Sequence, residues 1–449
     1  MSIISFQFIA VYVLLLFVYW LVPQKAKNWV LLLFCWGFMV SQDWKYFLFL
    51  VAVTIISYAG GYVISQHENQ GKAFASLITS ILILLGMLVV VKYTPFPIQV
   101  VGISFFTFQA VSYVIDVYRN DTKCEKNFMI FALYIAFFPQ LMCGPIAKSK
   151  EQISRYKDDK ILELTDLEKG LVMAAYGLFL KLVIADRIGI FVDGVYSDVS
   201  AVGGLSLIAV ILLYSVQIYG DFAGYSLIAI GIGRTFGITL PENFKAPYLS
   251  KSINEFWKRW HISLTSWFRD YLYFPLGGNQ KGEIRTYVNV LTVFVVSGIW
   301  HGAGLTYIVW GLLHGILQVI EKAFVKIKNG SRIVTYILVS IFWVFFRANT
   351  LGQAAAILGG VINNSNGYYL SNILSFGLDK YDFLCLAVAI AVMIAVDILI
   401  YKNKNLVNAI FRAKLPIRWV VLASLLLTVL VFGVYGPGYD ASNFIYLKF

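Results

Sequence analysis

The first 92 residues hold four apolar runs in close succession, beginning with MSIISFQFIAVYVLLLFVYWLVP. Continuous runs of this kind constrain the fold more than any motif. In lipid every backbone amide must find its partner within its own helix or around a closed barrel. Barrel strands read as ~10-residue alternating segments, so these runs specify an all-α, polytopic membrane protein.

Composition agrees. AVILMFWYC residues make up 59% of the 449 positions and charged residues 13%, about half the charged share of soluble domains. A soluble enzyme, a disordered chain and a secreted disulfide scaffold are thereby excluded. The four cysteines (Cys35, Cys124, Cys143, Cys385) show no C-x-x-C spacing and there are only four histidines, so neither a disulfide framework nor a metal site is indicated. The net charge of +12 reads as topology and not as nucleic-acid binding. Lys and Arg gather in short loops at 119–126, 148–160, 322–332 and 402–418, as cytoplasmic loops do.

Further apolar runs lie near 28–41, 45–64, 73–92, 98–117, 127–146, 169–192, 203–219, 221–238, 286–300, 303–321, 333–349, 381–401 and 416–436. Several are short for a crossing of ~20 residues, so about eleven crossings are expected, with the rest tilted, broken or re-entrant. All belong to one membrane-embedded domain, 1–449. The opening run lacks a basic n-region and a small-residue cleavage site, and reads as a membrane helix rather than a cleaved signal peptide. With 402–418 cytoplasmic, run 416–436 heads outward and leaves the tail 437–449 outside. Likewise 322–332 lies inside, the charge-poor loop 350–379 outside, and the helix opening at Gly302 starts from the outer face. Run 127–146 conflicts with this scheme, because the basic loops on both of its flanks read as cytoplasmic. It must turn back, or pair with another segment.

The stretch 239–285 breaks the pattern, with Glu255, Lys258, Arg259, His261, Arg269 and Asp270 among Trp257, Trp260, Trp267, Phe268, Tyr271, Tyr273 and Phe274. It is too polar for lipid and too aromatic for a free loop. That leaves an amphipathic helix in the interface or a re-entrant segment lining a polar cavity. Next comes VVSGIWHGAGLTYIVWGLLHGILQVIE, which sets His301 and His314 in apolar surroundings. Ionisable side chains there are costly and face a cavity or a partner. Imidazole takes and returns a proton near neutral pH, as a general base acting on a hydroxyl must. Gly298, Gly302 and Gly304 around His301 leave room for another backbone or a ligand. The competing reading is a buried histidine bonded to a neighbouring helix, more so for His314, about four turns further along. His67, beside Glu68 and Asn69, reads as a loop residue.

FPQLMCGPI (138–146), IADRIGIFVD (184–193), the long block from QIYGDF to PLGGN (217–279) and SGIWHGAGLTYIVWGLLHG (297–315) resemble the membrane-bound O-acyltransferase family, in its bacterial alginate O-acetyltransferase branch. VGISFFTFQAVSYVIDVYR (101–119) and WVFFRA (343–348) belong to the same pattern. The resemblance implies acyl transfer from a cytoplasmic thioester, acetyl-CoA, through a central tunnel to an acceptor outside, with no permanently bound cofactor. It implies His301 of the WHG motif as the catalytic residue and His261 of RWHISL as a group that binds or orients the donor. For His314 of LLHG it implies either a catalytic or a structural role. Lys258, Arg259 and Arg269 lie where the coenzyme's phosphates would be held.

The last six residues, FIYLKF, follow F-x-Y-x-x-F. This resembles the C-terminal acyl-carrying motif of the same branch and of small partner proteins in teichoic-acid D-alanylation. The Tyr446 phenol, with an ordinary pKa of about 10, is a poor nucleophile until a base such as His301 takes its proton. The aryl ester so formed is reactive enough to pass the group to a sugar hydroxyl. An aromatic interfacial anchor is the alternative for this tail.

The expected function is therefore O-acetylation of a cell-surface polysaccharide or peptidoglycan by a multi-pass protein of the bacterial cell membrane. A separate extracytoplasmic SGNH-type transferase is the implied partner, since no Gly-x-Ser-x-Gly elbow occurs in the chain. Two alternatives stand beside it: D-alanyl transfer to teichoic acid from a carrier-protein thioester, and a transporter or flippase whose histidines relay protons.

Overall fold

The structure, a computed structural model, describes residues 3–95, 100–142, 144–324, 330–363, 366–404, 406–436 and 445. Every regular element among them is helical. Five of these helices are long and apolar enough to cross a membrane: Trp44–Gln66, Gln70–Tyr93, Gly204–Thr235, Lys380–Tyr401 and Leu415–Phe432. Phe6–Leu21, Ile103–Tyr118 and Leu351–Gly360 are apolar but shorter. The chain packs as two compact units.

One unit holds the described residues of Met1–Ala174 and Ser226–Glu242. Tyr19 Oη donates to the Phe236 carbonyl at 3.0 Å and Trp20 Nε1 to that of Thr235 at 3.1 Å. Side chains thus satisfy carbonyls that a helix end leaves open. This unit also resolves the conflict over 127–146. Phe128–Ala136 has nine residues, about 14 Å of helix against a hydrocarbon core of about 30 Å. Phe138–Leu141 is a separate turn with Pro139 in its first positions, because proline lacks the N–H and crowds the preceding turn. Residues 130–141 are all buried, and Lys157 meets Glu125 at 2.5 Å. That ion pair ties the basic flank before the segment to the one after it, so the segment turns back inside the protein.

The other unit holds the described residues of Ala175–Tyr225 and Asn243–Tyr439. The two runs expected at 203–219 and 221–238 are corrected to one helix of 32 residues, Gly204–Thr235, of which residues 204–225 belong to this unit. Gly220 is not a break. A Cβ there would come within 3.0 Å of the Leu180 carbonyl, so this glycine permits a close helix approach. The 169–192 run winds into a π-helical turn, Phe179–Ala185, before Asp186–Ser197. The expected loop 350–379 contains the helix Leu351–Gly360 and a 3-10 turn, Leu370–Ser375. Arg187 pairs with Asp382 at 2.7 Å and donates to the Phe432 carbonyl at 2.6 Å. It thereby joins the start of Lys380–Tyr401 to the end of Leu415–Phe432.

The segment 239–285 is a chain of short elements: Pro247–Leu249, Ile253–Trp257, Ile262–Phe268 and the π-turn Arg269–Tyr273. Trp257, Trp260 and Trp267 are at most 8% exposed. An interfacial helix keeps one face at the headgroups, so this burial favours a segment that enters the protein.

Candidate functional site

The site is built on an antiparallel helix pair, Glu283–His301 and Leu305–Phe324, joined by a three-residue turn. Glycines set their spacing. A Cβ on Gly298 would lie 2.3 Å from the Tyr307 carbonyl oxygen, and one on Gly311 would lie 2.3 Å from that of Phe294. Backbone therefore rests on backbone, the contact that small residues make possible between membrane helices. A Cβ on Gly302 would strike the Tyr307 ring at 2.3 Å, so the turn itself is equally close-packed.

His301 is the last residue of the first helix and is 3% exposed. Trp300, Trp310 and Phe346 surround it, with ring centroids 4.8, 5.1 and 5.1 Å away, each edge to face. The imidazole is thus oriented by apolar walls and shielded from bulk water.

His314 belongs to the same cluster. Its ring lies 5.3 Å from Trp310 and 4.9 Å from Phe342, and it stacks on Phe294 at 6.2 Å. Trp257 Nε1 donates to His314 Nδ1 at 3.3 Å. A neutral imidazole that accepts at Nδ1 carries its proton at Nε2. That Nε2 is buried and has no hydrogen-bond partner among the described residues, and the same holds for Trp310 Nε1.

His261 is 1% exposed and caps the helix Ile262–Phe268, its Nδ1 accepting the Leu264 N–H at 3.3 Å. Its φ of +43° places it in the left-handed region, an uncommon conformation for a residue with a Cβ. Its ring lies 4.6 Å from Phe222 and 6.4 Å from Trp300. Three of the chain's four histidines therefore share one aromatic cluster, linked through Trp300 and Trp310. His67, in the other unit, closes the helix Trp44–Gln66.

The basic residues expected near the donor differ in their commitments. Lys258 is exposed. Arg259 donates to Glu255 at 3.0 Å and to the Lys245 carbonyl at 3.1 Å, and lies 4.4 Å over the Tyr401 ring. Arg269 pairs with its neighbour Asp270 at 2.8 Å. Tyr446 lies outside the described residues.

Sequence reasoning passed over a second polar centre. Lys181, in the π-turn, lies 2.6 Å from Asp186 and 2.6 Å from Asp221. Nearby in the same unit, Tyr219 donates to Asp397 at 2.9 Å. The available signal was charge inside or at the edge of apolar runs, the criterion that singled out His301.

Residues 125–349 match the model of the membrane-bound O-acyltransferase family, a span that contains His261, His301 and His314. A probable alginate O-acetylase, AlgI, of Pseudomonas putida is 40% identical over 59% of this chain and 55% of its own length. A peptidoglycan O-acetyltransferase of Helicobacter pylori is 33% identical over 78% of this chain and 76% of its own. A teichoic acid D-alanyltransferase of Bacillus subtilis is 27% identical over 67% and 82%, respectively.

Proposed function

The chain belongs to the membrane-bound O-acyltransferase family, and from that premise we propose that it moves an acetyl group from cytoplasmic acetyl-CoA for O-acetylation of an extracellular polysaccharide or peptidoglycan. The protein is a multi-pass bacterial membrane protein. The names of its alginate and peptidoglycan relatives supply the acceptor class. One observation carries the chemistry: His301 sits buried at the turn of a glycine-locked helix pair, walled by Trp300, Trp310 and Phe346. A base held in such walls meets its acceptor in one orientation, and reacting charges are not screened by water.

In this reading the imidazole of His301 takes the phenolic proton of Tyr446 as the phenolate oxygen attacks the thioester carbonyl. The C–S bond breaks, and the coenzyme thiolate leaves with the proton that His301 returns. Acetyl-Tyr446 then passes its group outward, to an SGNH-type partner or directly to a sugar hydroxyl. His261 orients the donor, and Lys258, Arg259 and Arg269 meet its phosphates.

Intact-mass analysis of purified protein incubated with acetyl-CoA tests the relay. One acetyl adduct that maps to Tyr446, and is absent from Tyr446→Phe and His301→Ala, is the expected result. No adduct on wild type, with transfer to a supplied acceptor still dependent on His301, reduces the tail to an anchor. Full transfer by His301→Ala refutes the central assignment. D-alanyl transfer rests on the more distant likeness alone, and a carrier-protein thioester that fails as donor counts against it. Transport that survives His301→Ala would favour the transporter reading.

A further inference from the structure

We propose that Trp310 and His314 supply the two N–H donors that hold the carbonyl oxygen of the acyl donor as it becomes an oxyanion. The inference rests on the acyl-transfer reading above and adds the half of the chemistry that a base alone does not provide. When a nucleophile attacks a thioester, the carbonyl π-electrons move onto oxygen. Placed donors at that oxygen are usually the largest single contribution to lowering the barrier.

Both residues are 0% exposed. The hydrogen bond from Trp257 to His314 Nδ1 fixes the tautomer that leaves N–H on Nε2. Neither that group nor Trp310 Nε1 has an acceptor among the described residues. Buried donors are nearly always paired, and two unmet ones on rings in mutual contact indicate an acceptor that arrives with the substrate. Their position suits this. The Trp310 ring contacts His301 at 5.1 Å and His314 at 5.3 Å, so one donor adjoins the group that takes the proton and the other lies one ring further on.

The step balances. His301 gains the proton of the attacking hydroxyl, the new O–C bond forms, and the carbonyl oxygen takes the displaced pair against the Trp310 and His314 N–H groups. The oxyanion then collapses, the C–S bond breaks, and the thiolate leaves with the proton from His301. Both donors return to their starting state.

The test uses the full chain in detergent with acetyl-CoA. Trp310→Phe and His314→Phe should each lower kcat by about 100-fold, as loss of one oxyanion donor does, with KM for acetyl-CoA changed by less than about threefold. His314→Gln, whose side-chain amide N–H can stand in for Nε2–H, should recover at least about tenfold of the His314→Phe loss. A second measurement needs no variant to fold. Wild type should bind a ketone analogue of acetyl-CoA, with methylene in place of the thioester sulfur, more tightly than S-ethyl-CoA, which lacks the acyl carbonyl. Unchanged kcat in folded Trp310→Phe or His314→Phe overturns the proposal, as does equal binding of the two analogues. If wild type transfers no acetyl at all, the acyl-transfer reading fails and takes this inference with it. If wild type transfers normally while the variants are unaffected, only the donor pair fails.

Discussion

Replacing Lys181 with methionine should destabilise the protein by about 3–5 kcal/mol, the usual consequence of removing one partner from a buried charge group. The ammonium lies 2.6 Å from Asp186 Oδ1 and 2.6 Å from Asp221 Oδ1, and the three side chains are 0%, 6% and 3% exposed. At an effective dielectric of ~20, each contact at that distance is about 6 kcal/mol of attraction. Dehydration of the three groups offsets most of it, so the intact triad adds little net stability. Lys181→Met keeps the dehydration of both carboxylates and removes the attraction, leaving two carboxylates facing each other in an apolar interior. The triple variant Lys181→Met, Asp186→Asn, Asp221→Asn removes the charges together and should regain more than half of the loss. Unfolding in mixed detergent and SDS micelles, followed by tryptophan fluorescence, measures both. A Lys181→Met variant within ~1 kcal/mol of wild type would refute the argument, and so would a triple variant no more stable than the single one.

Two further outcomes follow from local geometry. Gly311→Ala places a Cβ 2.3 Å from the Phe294 carbonyl oxygen, so the helix pair must separate, at about 1–3 kcal/mol; melting temperature and acetyl transfer should both fall. Gly359→Ala, where a Cβ meets nothing within 4 Å, is the matched control and should leave both unchanged. His261→Asn keeps a short acceptor at the cap and tolerates the left-handed backbone, so it should melt like wild type, whereas His261→Ala should lose about 1 kcal/mol. If His261 also orients the donor, the Asn variant raises KM for acetyl-CoA by about tenfold, equivalent to 1.4 kcal/mol. A normal KM would confine His261 to the cap.

Helix class and membrane residence were legible residue by residue because they depend on local quantities. Apolar runs and the backbone's need for partners in lipid dictate helices whatever the helices pack against. The burial of His301 was equally legible, because an ionisable group among glycines in an apolar run faces a cavity or a partner. Partnership was not legible, because it depends on contacts between distant segments. A glycine reads the same whether it breaks a helix or admits a neighbour, and only the structure shows 204–235 as one helix in which a Cβ on Gly220 would lie 3.0 Å from the Leu180 carbonyl oxygen. Charge counts could not say that Glu125 and Lys157 meet, so run 127–146 stayed unresolved. Nor could spacing show that Trp310 bridges His301 to His314, that His261 spends its Nδ1 on a helix cap, or that Lys181 finds two carboxylates. The chain's own chemistry thus determines which groups are costly to bury, while the tertiary structure decides which of them meet, because burial is tolerable only where a partner from elsewhere in the chain arrives.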